Sequence, residues 1–255
     1  VLSSEAGTES PLPPASFIEQ FDAAATAAGF ERDTFGTIQT FALNAYRKGN
    51  ADLSPRIYLS SGMHGDEPAP PWALLELMRE NFFSDRVSWF ICPLLNPTGF
   101  TLRTRENHAG IDLNRDYRNP VSSEVAAHIS WLQRQPTFDL ALCLHEDWEA
   151  TGYYLYELNP EQRPTLAEAF IAGAITVSPI DQNAIIDGRP INLPGIIRPD
   201  GDLLLQEKWP EAFYLHKFHS PFNYTLETTS AQPLEQRIAT HMAALRLALA
   251  EFLRT

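Results

Sequence analysis

Along residues 16–28 the apolar side chains Phe17, Phe21, Ala24 and Ala28 fall on one helical face. Ser16 and Glu19 are placed as a capping box ahead of them and Gly29 as a stop behind, which predicts a helix. A looser β-rich alternation over 35–48 predicts a strand pair. Short apolar runs follow at 56–61, 87–92, 138–144, 153–158 and 222–227, each the length of a buried strand. Helical patterns lie between them. One is opened by Pro71 and carries Trp72, Leu75, Met78 and Phe82. The others run from Ser122 or Ser123 to Arg134, around 164–174, and as a closing amphipathic helix over 234–253. Strands alternating with helices predict an α/β/α sandwich around a central mixed, largely parallel twisted sheet.

Three segments break the rhythm. Residues 1–14 read as a flexible leader ahead of a single domain spanning 15–255. Residues 93–120 form an irregular stretch dense in Asn, Arg and Gly. Residues 178–202 hold four Pro and three Gly and read as a long surface loop, a kind usually tied to function.

Composition narrows the picture. A hydrophobic content of 44% is enough for a substantial core. A formal net charge of -13 disfavours nucleic acid and anionic membrane surfaces as partners. Cys92 and Cys143 sit inside strand-like runs and read as inert core thiols rather than a disulfide scaffold. No stretch reaches the ~20 apolar residues of a membrane span. The chain does not begin with Met, and Val1–Pro14 lacks the basic and apolar regions of a signal peptide, so the expectation is a cytoplasmic protein.

Candidate chemistry gathers where predicted strands run out into loops, the place where such sheets collect ligands. Gly62-Met-His64-Gly-Asp-Glu67 follows the strand at 56–61, and a three-residue spacing lets an imidazole and a carboxylate converge from one turn. His145 ends the apolar run 138–144. Alone it would read as a structural histidine, but two His and one carboxylate form the usual catalytic zinc set with one position open. Glu227 ends the last strand, where a carboxylate beside a metal can take a proton from water. His128 and His241 read as helix surface residues. The acidic run Glu146-Asp147-Trp148-Glu149 reads as a solvated loop that could attract a cationic substrate group.

The ordered set His64-x-x-Glu67, Asn96-Pro97-x-Gly99, Arg105-x-Asn107, Asp112-x-Asn114-Arg115, His145 and Glu227 resembles the zinc carboxypeptidases typified by carboxypeptidase A. The likeness runs from about residue 35 onward. It implies one Zn²⁺ per chain on His64, Glu67 and His145. It also implies Asn114 and Arg115 on the substrate's terminal carboxylate, Arg105 on the scissile carbonyl, and Glu227 as general base. Arginine's planar fork suits a carboxylate. Arg105 is preferred to Arg103 by its spacing to Asn107. Residues 181–213 hold no Tyr to match the family's mobile-loop tyrosine, and Tyr214 is the nearest. The short loops look like small bacterial members such as the murein peptide amidases, which implies a small peptide or peptidoglycan-peptide substrate.

A second group shares these motifs: the succinylglutamate desuccinylases and aspartoacylases, which remove an acyl group from a small amino acid. They carry a β-rich domain after the catalytic Glu. The 28 residues after Glu227 read here as one helix, so the expectation leans to the peptidase. A non-catalytic binding fold would have lost one of His64, Glu67, His145 or Glu227, and all four are present.

Overall fold

The computed structural model describes residues 12–49 and 55–254. Its elements are α1 (Pro14–Ala27), β1 (Glu31–Ile38), β2 (Phe41–Lys48), β3 (Arg56–Ser60), α2 (Ala69–Arg79), β4 (Ser88–Cys92) and α3 (Pro97–Leu102). After a 3₁₀ turn at Leu113–Arg115 come α4 (Ser123–Leu132), β5 (Leu140–Asp147), β6 (Tyr154–Leu158), α5 (Ala167–Ala174), β7 (Ile185–Ile186), β8 (Arg189–Pro190) and β9 (Ile196–Ile197). The chain closes with α6 (Glu211–Phe218), β10 (Asn223–Thr229) and α7 (Leu234–Phe252). The main sheet has the order β1-β2-β4-β3-β5-β10-β6-β9. Its centre, β4-β3-β5-β10, is parallel, while β2 and β6 attach antiparallel on either side. This is the mixed, mostly parallel sheet expected from the alternation of elements.

Several local readings change. Ser16 does not cap the first helix: Pro14 opens it, pre-set for the first helical turn, and Leu12 is already in the core. Of the leader, residues 1–11 lie outside the described residues. Ser122 does cap α4, accepting from the Val125 N–H. The segment 178–202 is not all loop, since β7 and β8 form a hairpin and β9 joins the sheet beside β6. Cys92 and Cys143 are free and buried. Among the described residues no helix is long and apolar enough to cross a membrane.

Strand alternation sorts the core into two layers. Ile57, Leu59, Leu142, Leu144 and Leu226 pack against α1, α2, α5 and α7 through Phe17, Leu74, Phe170 and Leu245. Tyr58, Ala141 and Cys143 pack on the opposite side against α4 and α6 through Val125, Trp131, Phe213 and Leu215. Burying one such Leu or Phe stabilises the fold by about 1.5–3 kcal/mol. The same parity sends Cys143, His145 and Asp147 to the second side, and sends Glu146 to the first.

Glu146 is therefore no part of a solvated loop. One carboxylate oxygen accepts the Ala69 N–H at 2.6 Å, at the start of α2, and the other pairs with Arg237 of α7. Burial pushes its pKa up to about 7 despite the arginine. His128 and His241 are buried as well, against the surface reading. His128 bridges the Tyr58 and Tyr117 hydroxyls at 3.0 and 2.7 Å, and His241 Nε2 lies 3.1 Å from the His145 carbonyl. Burial lowers both histidines to about 3, so both are neutral. The helical period concealed this, because α4 and α7 are amphipathic and these histidines occupy their inner faces.

Removing one partner of the Glu146–Arg237 pair leaves an uncompensated buried charge. Arg237→Met is expected to lower the free energy of urea unfolding by about 3–5 kcal/mol, with the Glu146→Gln/Arg237→Met double variant recovering much of it. An unchanged unfolding midpoint in the single variant would show that the pair is not a determinant of stability.

Candidate metal centre

The turn carrying His64 and Glu67 rests on the backbone of α3. Gly62 turns the chain at φ +65°, where a Cβ would strike Leu94. Gly65 is closer still: a Cβ there would lie 1.9 Å from the Gly99 carbonyl carbon. Asn96 holds the two segments together, accepting the Gly99 N–H at 2.9 Å and donating to the Met63 carbonyl at 3.1 Å. The Asn-Pro-x-Gly motif is thus the platform for the His-x-x-Glu turn.

On that platform His64, Glu67 and His145 converge, all buried, with one ligand atom from each lying within 4.8 Å of the others. Nδ1 of His64 stands 2.5 Å from one Glu67 oxygen, and Nδ1 of His145 stands 2.8 Å from the other. Burial alone would raise the Glu67 pKa, but the two imidazoles hold it far below the usual range. Burial would likewise lower His64, yet Glu67 and Asp112 outweigh it and raise its pKa to about 8. Two imidazoles and one carboxylate converging in a buried pocket fit a divalent cation with nitrogen and oxygen ligands.

Asp112, given no role from sequence, joins this cluster to the arginine beside it. One of its oxygens meets His64 Nε2 at 3.2 Å and the other accepts from Arg105 Nε at 3.0 Å. A carboxylate on the second nitrogen of a ligating histidine fixes its tautomer and orientation. Arg105 also approaches Glu67 at 3.6 Å. It lines the cavity, whereas Arg103 ends α3 at φ +57° and is exposed.

The cavity over the cluster has a volume of about 580 Å³. Asn114, Arg115 and Glu227 line it together with the three cluster residues. Glu227 is the register partner of His145 on the neighbouring parallel strand, so both side chains leave the sheet on one side. Burial raises the Glu227 pKa well above the ordinary carboxylate value; His145 opposes that shift, while Glu67, Asp147 and Asp187 add to it. Tyr154, cross-strand from Glu227, and Tyr156, cross-strand from Thr225, also line the cavity. Their hydroxyls donate to Asp147 at 2.9 Å and Asp187 at 2.5 Å. Both precede residues 181–213, the stretch in which the resemblance would place a tyrosine. Tyr214 is buried against Tyr117 and Phe218, outside this cavity.

Comparison with known proteins agrees with this geometry. The family model of the succinylglutamate desuccinylase/aspartoacylase catalytic domain matches residues 54–181, half of the chain and all of its His-Glu-His cluster. The chain belongs to that family of hydrolases and is an enzyme of the zinc carboxypeptidase-like kind. The Arabidopsis thaliana carboxypeptidase SOL1 is 32% identical over a stretch covering 39% of this chain and 24% of its own length, so the chain spans about a quarter of that relative. A Shewanella denitrificans structure with a provisional metallopeptidase designation superposes with a TM-score of 0.81 at 26% identity, covering 93% of this chain and 89% of that one. A metallo-carboxypeptidase from Burkholderia cenocepacia shares the fold at a TM-score of 0.73 and 18% identity, covering 96% of this chain and 70% of that one. The cluster and these relatives together point to a bound metal ion.

Because Gly65 has no room for a side chain against Gly99, Gly65→Ala must displace the turn that presents His64 and Glu67. Metal content after equilibrium dialysis is expected to fall at least ~10-fold, as for outer-shell changes at metal sites. Full metal retention would show that the backbone contact does not set the ligand geometry.

Proposed function

We propose that this chain is a zinc-dependent amide hydrolase of the metallocarboxypeptidase type, with one Zn²⁺ per chain on His64, Glu67 and His145. It would release a residue that bears a free carboxylate. The observation that carries this reading is the shared cavity: the metal cluster, Glu227 and the Asn114–Arg115 pair all face the same 580 Å³ space. When bound, the ion supplies Lewis acidity, acidifying water and polarising the scissile carbonyl. Glu227, desolvated and half-buried, accepts a proton from the attacking water and returns it to the leaving nitrogen. Arg105, held by Asp112, places a cation where negative charge develops on the carbonyl oxygen. Asn114 and Arg115 bind the substrate carboxylate and fix which amide bond reaches the cluster.

A second reading is an N-acyl amino acid deacylase, favoured by the family model that matches residues 54–181. It uses the same machinery on a smaller substrate. Product analysis against free-acid peptides, peptidoglycan peptides and N-acyl amino acids separates the two.

Glu227→Gln is expected to retain zinc by elemental analysis while turnover falls at least ~100-fold, the usual scale of general-base assistance. Near-normal turnover in a metal-replete variant would place the base elsewhere. The Glu146 carboxylate turns to the far side of the sheet, against Arg237, which argues against it as that base.

The carboxylate clamp makes a separate prediction. Amidating the substrate carboxylate, or Arg115→Ala acting on the free acid, should each lower kcat/KM by roughly 30-fold or more, the equivalent of ~2–5 kcal/mol for one side of a charged contact. Applied together they should lose little more than either alone, because both remove one interaction. Equal wild-type hydrolysis of acid and amide would refute the free-carboxylate requirement.

A further inference from the structure

Glu211 is a carboxylate that the proposed chemistry does not use, yet it is only 1% exposed at the start of α6. Its oxygens accept from the Tyr58 hydroxyl at 2.6 Å and the Ser60 hydroxyl at 2.7 Å, both on β3. These bonds pin the first turn of α6 to the centre of the sheet. The next two residues, Ala212 and Phe213, line the cavity, as does Pro210 just before. The backbone N–H of Glu211 donates to Asn114 Oδ1 at 2.9 Å. A backbone N–H can only donate, so the amide oxygen of Asn114 must face Glu211. The Asn114 side-chain NH₂, its only donor group, is then the part left to face a ligand.

We infer that Glu211 is a positioning residue for substrate carboxylate recognition: its buried side chain fixes the backbone N–H that orients the Asn114 amide with its donors toward the cavity. The inference rests on the proposed role of Asn114 in binding a free carboxylate. The alternative to be separated from it is a purely structural anchor for α6. A structural anchor would affect all substrates alike. A device that orients Asn114 affects binding of the carboxylate and leaves the chemistry at the metal cluster in place.

The test uses the zinc-loaded enzyme and one peptide in free-acid and C-terminally amidated forms. The variants are Ser60→Ala, Glu211→Ala and Glu211→Gln. Ser60→Ala removes one hydrogen bond to the carboxylate, keeps the packing, and serves where Glu211→Ala fails to fold. For Ser60→Ala and Glu211→Ala, KM for the acid is expected to rise about tenfold with kcat within about threefold, the scale of one charged hydrogen bond. The acid-to-amide ratio of kcat/KM should collapse in parallel. Glu211→Gln, which can still engage both hydroxyls, should restore most of the ratio. Equal losses on acid and amide, a fall in kcat at constant KM, or an unchanged ratio in Ser60→Ala would each overturn the inference. Failure of the underlying function reading is visible separately, because wild-type enzyme would then show no preference for the acid.

Discussion

A carboxylate as deeply buried as that of Glu67 is tolerated only where its charge is met, since desolvating an ion costs several kcal/mol even after relaxation. Here the compensation comes from four directions: the imidazoles of His64 and His145, the Glu146 N–H at 3.2 Å, and Arg105 at 3.6 Å. These groups belong to the turn after β3, to β5, and to the irregular segment that follows α3. One buried negative charge therefore ties three separate parts of the chain to a single point. Asp112 extends the arrangement by one step, balancing both His64 and Arg105. The result is a donor set held in place by its own electrostatics. Such an arrangement keeps the donor set gathered at one point.

The strand that carries His145 is supported from behind. On its back face Leu142 and Leu144 join the core beneath α7, and Glu146 ends the row in its pair with Arg237. Against a hydrophobic replacement, a buried ion pair contributes little net stability. What it supplies here is geometry. Glu146 holds both the start of α2 and α7 against β5, while His241 reaches the His145 carbonyl from the same helix. The His145 side chain thus stands on a strand whose far side is fixed by α7, so the helix after Glu227 contributes to the candidate site without lining it.

Much of this was legible in the sequence because it follows from short-range pattern. Apolar runs gave β3, β4, β5 and β10 to within a few residues, and His145 and Glu227 lay at or near the ends of such runs. Parity along the strand placed both on one side once their register was known. What escaped was set by tertiary pairing. No local signal distinguishes Glu146 in an acidic run from a solvated residue; only Arg237, ninety-one positions later, makes it a core residue. Asp112 was visible as part of a motif, but its contact with His64 depends on how the segment 103–112 folds back. Tyr154 and Tyr156 were read as strand residues. Their place in the cavity follows from β6 pairing antiparallel with β10, which sequence alternation does not specify. The hairpin of β7 and β8 was missed because each strand is only two residues long, below any periodicity.

The extent of the family match bears on how the two amide-hydrolysing readings diverge. Residues 54–181 include the His-Glu-His cluster, Asp112, Arg105, Asn114 and Arg115: the metal half of the cavity and the proposed carboxylate contacts. Another part of the wall, with Asp187, Arg189, Lys208, Ala212 and Phe213, lies beyond the matched segment, as does Glu227 beside His145. A peptidase and a deacylase of this architecture can share the first half unchanged, because both need an activated water and a carboxylate-bearing product. On the proposed reading they would differ where the acyl portion of the substrate lies. In this chain that wall combines the hairpin tip at Asp187, hydrogen-bonded to Tyr156, with the first turn of α6, anchored through Glu211 to β3. On the proposed reading, a peptide and a small acyl group would be told apart along this wall.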